Sequence, residues 1–395
     1  MSPQAQVTEG VVLTKKVMLV FGTRPEATKM APVFMALRRS AVLTPVVCVS
    51  AQHREMLDVV LEHFGIVPDH DLDVMTPRQS LSMVATRVME RLDEVLIASS
   101  PDLVLVHGDT TTTMAAALTA FHRMIPVGHV EAGLRTGDKM QPYPEEMNRR
   151  VADAVSDLHF APTQVSRANL LREGIPASGI FVTGNTAVDA LLWTVRPGYV
   201  FHDEALRSVD WDMPEKIVAV EVHRRENWGE PIRRVGRALR RIATELPVRL
   251  IVSVHMNPEV REVIPPYLEG LPNVMLHGPF EYPDWANLMN RARLVITDSG
   301  GLQEEAPSLG RPVLVCREKT ERPEAVEAGT VKLVGTDEDA IFETTRELLE
   351  DGALWNAMSG AKNPYGDGDA ADRTIWAIEH YFGFREERPK DFGER

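Results

Sequence analysis

Three acidic clusters lie between His107 and Arg150, each set among small or basic residues: His107-Gly108-Asp109-Thr110, His129-Val130-Glu131-Ala132-Gly133-Leu134-Arg135, and Pro144-Glu145-Glu146-Met147-Asn148-Arg149-Arg150. Apolar, β-rich runs at 103–106 and 125–130 precede the first two. Their polar residues therefore fall where strands end and loops begin. In an open α/β sheet that edge is where ligands bind. Several carboxylates gathered there resist ionising together unless their proton affinities are split or cations stand nearby. Such an arrangement suits proton transfer better than folding.

Two further turns have the chemistry of anion sites. Phe21-Gly22-Thr23-Arg24-Pro25-Glu26 ends the first apolar run and opens a helix, with Pro25 suited to the first turn. Glycine there admits a ligand to the backbone, and Arg24 adds fixed charge. A phosphate contact and an ordinary tight turn with a surface arginine fit this segment equally well. The same logic returns at Thr297-Asp298-Ser299-Gly300-Gly301-Leu302-Gln303-Glu304-Glu305. Backbone donors at Gly300 and Gly301 and the Ser299 hydroxyl suit a diphosphate, and a carboxylate one turn later suits ribose hydroxyls, so nucleotide binding is preferred to a plain helix start. His223-Arg224-Arg225-Glu226-Asn227 follows another strand-like run and offers an imidazole and guanidinium groups to a departing diphosphate. A surface salt-bridge cluster around Glu226 competes with that reading. His255 and His277 end strands of the second half and have weaker claims, and no histidine has metal-ligand spacing. The glycine fingerprints of dinucleotide folds and phosphate loops are missing, which disfavours NAD and ATP hydrolysis.

The elements that must position these residues alternate between short β-branched runs and amphipathic stretches. Strands are predicted at 17–21, 45–49 and 103–106, with helices after Pro25 and over 54–64, 80–98 and 111–121. After a polar break at 196–214 the rhythm restarts, with strands at 217–222, 248–252, 274–276, 294–296, 313–315 and 331–334. That pattern predicts an α/β fold of two Rossmann-like, doubly wound parallel sheets. The expected division is a disordered N-terminal extension over 1–15, a first domain over 16–185, a second over 186–369, and a helix in 370–395 returning to the first. Arg233, Arg234, Arg237, Arg240 and Arg241 accompany an apolar stripe at helical spacing, the mark of a solvated helix face.

At 395 residues the chain is long enough for two cores. Its formal charge of −14 argues against a broad nucleic-acid or anionic-membrane surface and confines any anion site to a focused pocket. Cys48 and Cys316 lie far apart in apolar runs, as buried thiols would in a reducing compartment. With no leader-like start and no membrane-length apolar segment, a cytoplasmic protein is expected.

Taken in order, several blocks resemble the bacterial non-hydrolysing UDP-N-acetylglucosamine 2-epimerases. They are Phe21-Gly-Thr-Arg-Pro-Glu, Ala51-Gln-His-Arg-Glu, His107-Gly-Asp-Thr, His129-Val-Glu-Ala-Gly-Leu-Arg-Thr-Gly, Pro144-Glu-Glu and Thr183-Gly-Asn-Thr, followed by His223-Arg-Arg-Glu-Asn, Thr297-Asp-Ser-Gly-Gly-Leu-Gln-Glu-Glu-Ala, Thr320-Glu-Arg-Pro-Glu and Asn363-Pro-Tyr-Gly-Asp-Gly. The resemblance implies a GT-B-like fold with substrate in a central cleft, and a homodimer. It assigns Asp109, Glu131, Glu145 and His223 to catalysis, and Arg24, Ser299, Gly300, Gly301 and Glu305 to UDP. Gln52, Arg78, His223 and Arg224 correspond to residues that hold a second, activating UDP-GlcNAc. Glu221 and Val222, before His223, depart from the family's usual Thr and small or polar residue.

The implied reaction is reversible C2 epimerisation of UDP-GlcNAc to UDP-ManNAc for cell-surface polysaccharide, with no NAD and no metal. The C2 proton is not alpha to a carbonyl, so direct deprotonation would leave an unstabilised carbanion. Breaking the anomeric C–O bond first makes that proton acidic. Anti elimination of UDP then gives 2-acetamidoglucal, and re-addition with protonation from the other face completes inversion. Three readings compete: a hydrolysing epimerase releasing UDP and ManNAc, a glycosyltransferase of the same fold, and a non-catalytic UDP-sugar-binding regulator.

Overall fold

In the computed structural model, which describes residues 14–51, 54–76, 79–320 and 322–394, the chain forms two compact units. One runs to Thr186 and resumes at Asp369; the other spans Ala187–Gly368. Each is built on a parallel sheet.

The first sheet contains β1 (Lys15–Phe21), β2 (Leu43–Val49), β3 (His70–Asp71), β4 (Leu103–His107), β5 (Val127–Val130), β6 (Leu158–Ala161) and β7 (Ile180–Val182), in the order β3-β2-β1-β4-β5-β6-β7. Val17 through Phe21 are fully buried, as expected of a parallel strand covered on both faces. Its side chains alternate between two cores. Val17, Leu19 and Phe21 pack with the helices Arg24–Arg39, Arg54–Phe64 and Ala370–Tyr381. Met18 and Val20 pack with Leu81–Ser99 and Thr111–His122. Each such buried side chain contributes on the order of 1.5–3 kcal/mol of transfer free energy. The last helix thus returns to the first sheet, through Ala371, Ile375, Ala377 and Ile378.

The second sheet contains β8 (Lys216–Glu221), β9 (Val248–Ser253), β10 (Val274–His277), β11 (Leu294–Thr297), β12 (Val313–Val315) and β13 (Val331–Leu333), ordered β10-β9-β8-β11-β12-β13. Val218 and Val220 enter one core while Ile217 and Ala219 enter the other. In both sheets the order reverses beside the first strand of the unit, between β1 and β4 and between β8 and β11.

The structure refines several sequence expectations and bears out others. β1 begins at Lys15, not Val17, because Asp102 accepts from the Lys15 ammonium at 2.7 Å and the Lys16 backbone N–H at 2.9 Å. The extension expected over 1–15 therefore does not reach Lys15, and residues 1–13 lie outside the described residues. The polar break after Arg196 is docked on its own unit: Asp284, buried, accepts from the Tyr199 hydroxyl and from the His202 and Asp203 N–H groups, at 2.8 to 3.0 Å. Arg291 lies 4.7 Å from the ring centres of both Phe201 and Trp211. The arginine-rich helix, Glu230–Glu245, buries Ile232, Val235, Leu239 and Ile242. On its outer side Arg237 pairs with Glu230 and Glu338, and Arg241 with Glu245 and Asp339. Cys48 and Cys316 are both buried free thiols. No helix among the described residues is long and apolar enough to cross a membrane.

Candidate active site

The first group of candidates gathers where β1 and β4 diverge, the reversal point at which open sheets hold ligands. Thr23 caps the helix Arg24–Arg39 and forms a capping box with Glu26. Gly22 lies so close to β2 that a Cβ would meet the Ser50 hydroxyl at 1.8 Å, so only glycine fits. Glu26 is buried and bridges the two loops. One oxygen accepts from the Gly22 and Thr23 N–H groups and the Thr23 hydroxyl, and the other from Thr110 at 2.6 Å and Thr113 at 3.0 Å. Arg24 occupies the first helical position and is exposed.

Each of the acidic candidates has its own surroundings. Asp109 follows β4 and pairs with Arg149, while Asn148 donates to the Asp109 carbonyl at 2.9 Å. Both partners come from the helix Glu145–Val155, whose first residue is Glu145. Glu145 keeps one carboxylate oxygen, Oε2, buried without a hydrogen-bond partner. Its neighbour Glu146 is fully buried and accepts from the Thr136 and Gly137 N–H groups at 3.1 and 3.2 Å. The paired carboxylates thus separate into one that braces a loop and one with an unused oxygen.

Glu131 follows β5 with φ of 68°, a conformation that costs a non-glycine residue roughly 1–3 kcal/mol. Its carboxylate pairs with Lys29 and accepts from Asn185 at 3.2 Å. The Gly108 backbone stands directly beside it, 3.8 Å from Glu131 Oε1 at the Cβ position. His107 Nε2 lies 3.8 Å from Glu131, but burial pushes that imidazole down to about 3 despite the carboxylate's opposing pull. A neutral ring makes this a contact and not an ion pair.

Behind these residues His129, fully buried, reaches Asp153 at 2.6 Å through Nδ1 and the Gly108 carbonyl at 2.7 Å through Nε2. Asp153 also accepts from Arg135 at 2.8 Å and from the Gly133 N–H at 3.2 Å. Burial works against the Asp153 carboxylate, yet charge and hydrogen bonding from His129, with the charge of Arg135, hold it down at about 2. A depressed acid contributes stability above its unfolded value of 3.8, and that contribution is lost as pH falls through about 2. We expect melting curves of the protein and of Asp153→Asn to converge over that window, a change of about 2 kcal/mol. Parallel curves across it would contradict the assignment.

The second group sits between β8 and β11, the reversal point of the other sheet. Asp298 follows β11, is fully buried, and accepts from the His223 and Arg224 N–H groups and the Asn227 amide at 2.9 to 3.1 Å. This fastens the His223 loop to the Ser299-Gly300-Gly301 turn. Ser299 precedes the helix Gly300–Glu305 without capping it through its hydroxyl. The Glu305 carboxylate folds back toward Gly301, 3.6 Å from its Cβ position. A Cβ on Gly300 would meet the Arg322 guanidinium at 2.8 Å, which places a cation against the turn. His255 stacks on His223 with ring centres 5.2 Å apart. His277 instead pairs with Asp203 at 3.2 Å and stacks on Phe280.

Asp109, Glu131 and Glu145 thus share one sheet edge with Arg24, and His223, Arg224, Ser299, Gly300, Gly301 and Glu305 share another. Gln52 and Arg78 lie outside the described residues. Sequence reasoning gave no role to Lys29, Arg149, Asn185 or Arg322. Lys29 carried a signal, being a lone charge in the apolar stretch Ala27–Phe34 of its helix; the others had none beyond membership in a polar block.

Residues 35–379 match the family model described as UDP-N-acetylglucosamine 2-epimerase. The UDP-N-acetylglucosamine 2-epimerase of Bacillus subtilis is 50% identical over 95% of this chain and 98% of its own. Among solved structures, UDP-GlcNAc 2-epimerase from Neisseria meningitidis, bound to UDP-GlcNAc, superposes with a TM-score of 0.84 at 46% identity, covering 92% of this chain and 100% of that one. The glycosyltransferase SnogD from Streptomyces nogalater, at 16% identity and a TM-score of 0.58 over 92% of this chain and 99% of its own, is a likeness of fold alone.

Proposed function

The chain belongs to the UDP-N-acetylglucosamine 2-epimerase family, and we propose that it interconverts UDP-GlcNAc and UDP-ManNAc by eliminating UDP to 2-acetamidoglucal and adding it back. The observation that carries this reading is the provisioning of the carboxylates on one sheet edge. Glu131 is matched with Lys29 and Asp109 with Arg149, while Glu145 retains a buried, unpartnered oxygen. A nearby cation lets a carboxylate stay ionised as a base, and a buried oxygen without a partner awaits a proton or a ligand.

In this mechanism the two groups of residues divide the work. Positive charge from Arg224 and protonated His223, the Ser299–Gly301 turn and Arg24 stabilise the diphosphate as the anomeric C–O bond breaks. Glu305 is suited to the ribose. Electron deficiency at the anomeric carbon acidifies C2–H, and one of Asp109, Glu131 and Glu145 removes that proton as the C1–C2 double bond forms. In the return direction a carboxylate on the opposite side delivers a proton to C2 while a diphosphate oxygen re-forms the bond to C1. Excluding water keeps the glucal and UDP together.

Proton NMR of UDP-GlcNAc with the purified protein in D2O, without added NAD or metal, tests this directly. UDP-ManNAc carrying deuterium at C2 is expected. Complete retention of the original hydrogen would exclude the elimination route, and accumulation of free ManNAc with UDP would identify the hydrolysing reaction instead.

A further inference from the structure

On that functional reading, we propose that Glu221 is a positioning residue for His223, taking the proton on ring nitrogen Nδ1 and leaving Nε2 to act on the leaving diphosphate. Glu221 is the last residue of β8 and lies two residues before His223. His223 Nδ1 is buried and makes no hydrogen bond, a condition that calls for a compensating group. Two carboxylates stand within reach. Asp298 Oδ1 is 3.9 Å away, but both Asp298 oxygens are already occupied by the His223 and Arg224 N–H groups and the Asn227 amide. Glu221 Oε1 is closer, at 3.6 Å, and its side chain is a quarter exposed. That separation exceeds a hydrogen bond, so the pairing tightens by a small rotation of the glutamate.

The strand register favours the same arrangement. Glu221 pairs with Thr297 across β8 and β11, which places its side chain beside the loop that Asp298 fastens. Among the described residues, charges meet the imidazole from several neighbouring elements. Arg224 follows in the chain, Glu226 lies in the turn Arg225–Asn227, His255 stacks from beyond β9, and Asp298 stands beyond β11. Burial holds the His223 pKa below its ordinary value, with Arg224 and His255 adding to the effect and Asp298 and Glu226 opposing it. A ring placed so is poorly protonated unless another negative charge supports it. Glu221 supplies that charge, and an imidazole anchored at one nitrogen presents the other in a fixed direction, as carboxylate–histidine pairs do elsewhere.

The test compares the full-length protein with Glu221→Gln, which keeps an acceptor but loses the charge, and Glu221→Ala, which loses both. The readout is the pH titration of the His223 ring by nitrogen-15 NMR, assigned through His223→Gln. Both Glu221 variants should titrate at lower pH than the parent. The high-pH limb of kcat should move the same way, with kcat at neutral pH falling about tenfold in Glu221→Ala, less in Glu221→Gln, and KM changing less than about twofold. An unchanged His223 midpoint in both variants overturns the proposal. The titration decides this pairing even if the parent shows no epimerase turnover, an outcome that would remove the functional reading alone.

Discussion

Glu145→Gln leaves the protein folded and lowers its epimerase turnover by roughly a hundred- to ten-thousand-fold, the range expected when a general acid or base is lost. The same change one residue later, Glu146→Gln, has the opposite phenotype, with a loss of stability of about 2–3 kcal/mol from a disrupted buried acceptor. Both residues open one helix, and their surroundings separate them. Glu146 is fully buried and holds the Thr136 and Gly137 N–H groups, with Arg149 at 3.6 Å. An amide there turns its NH2 toward a backbone donor or toward Arg149. Glu145 Oε2 has no partner to lose. Steady-state kinetics and urea melts on the two variants check the pair of outcomes. Full turnover in Glu145→Gln would remove that residue from the mechanism.

Glu26→Ala should destabilise the protein by about 3 kcal/mol or more, since a buried carboxylate and all its donors lose their partners together. The residue joins the β1 and β4 loops through Thr110 and Thr113, so kcat should fall as well, by displacement of Asp109. Burial raises the Glu26 pKa above 4.5, against hydrogen bonds from Thr110, Gly22, Thr23 and Thr113 that favour the charged form. For a raised acid the linked stability is fully present below the unfolded value and is lost as pH rises through the folded one. The difference between the protein and Glu26→Ala is therefore largest near or below pH 4.5 and narrows above it. Denaturant midpoints measured at several pH values test the sign. A difference that widens with pH would show that the hydrogen bonds outweigh burial.

Much of this architecture is legible in local pattern. Runs such as Val17–Phe21 and Leu294–Thr297, rich in β-branched and aliphatic residues and followed by Gly or Asp turns, declare buried parallel strands and the loops at their ends. β6 and β7 are harder to recognise. Leu158–Ala161 and Ile180–Val182 are only four and three residues long, and short apolar runs do not distinguish a strand from part of a buried helix. β3, two residues long, exists only because Cys48 and Val49 of β2 supply its pairing partners. Even the docking of the 196–213 segment depends on Asp284, far along the chain.

The sequence by itself determined the α/β alternation, the two sheets, the membership of Asp109, Glu131, His223 and the Ser299–Gly301 turn in strand-end loops, and the likeness to one enzyme family. These follow from periodicity and turn chemistry, which act between residues close along the chain. Tertiary structure alone decided which charges meet: Lys29 with Glu131, Arg149 with Asp109, His129 with Asp153, and Glu221 beside His223. It also made Glu146 a brace and left an oxygen of Glu145 unused. Coulomb forces and hydrogen bonds act over a few ångströms of space, and separation in sequence does not reveal that distance until crossover helices have brought the strand ends together.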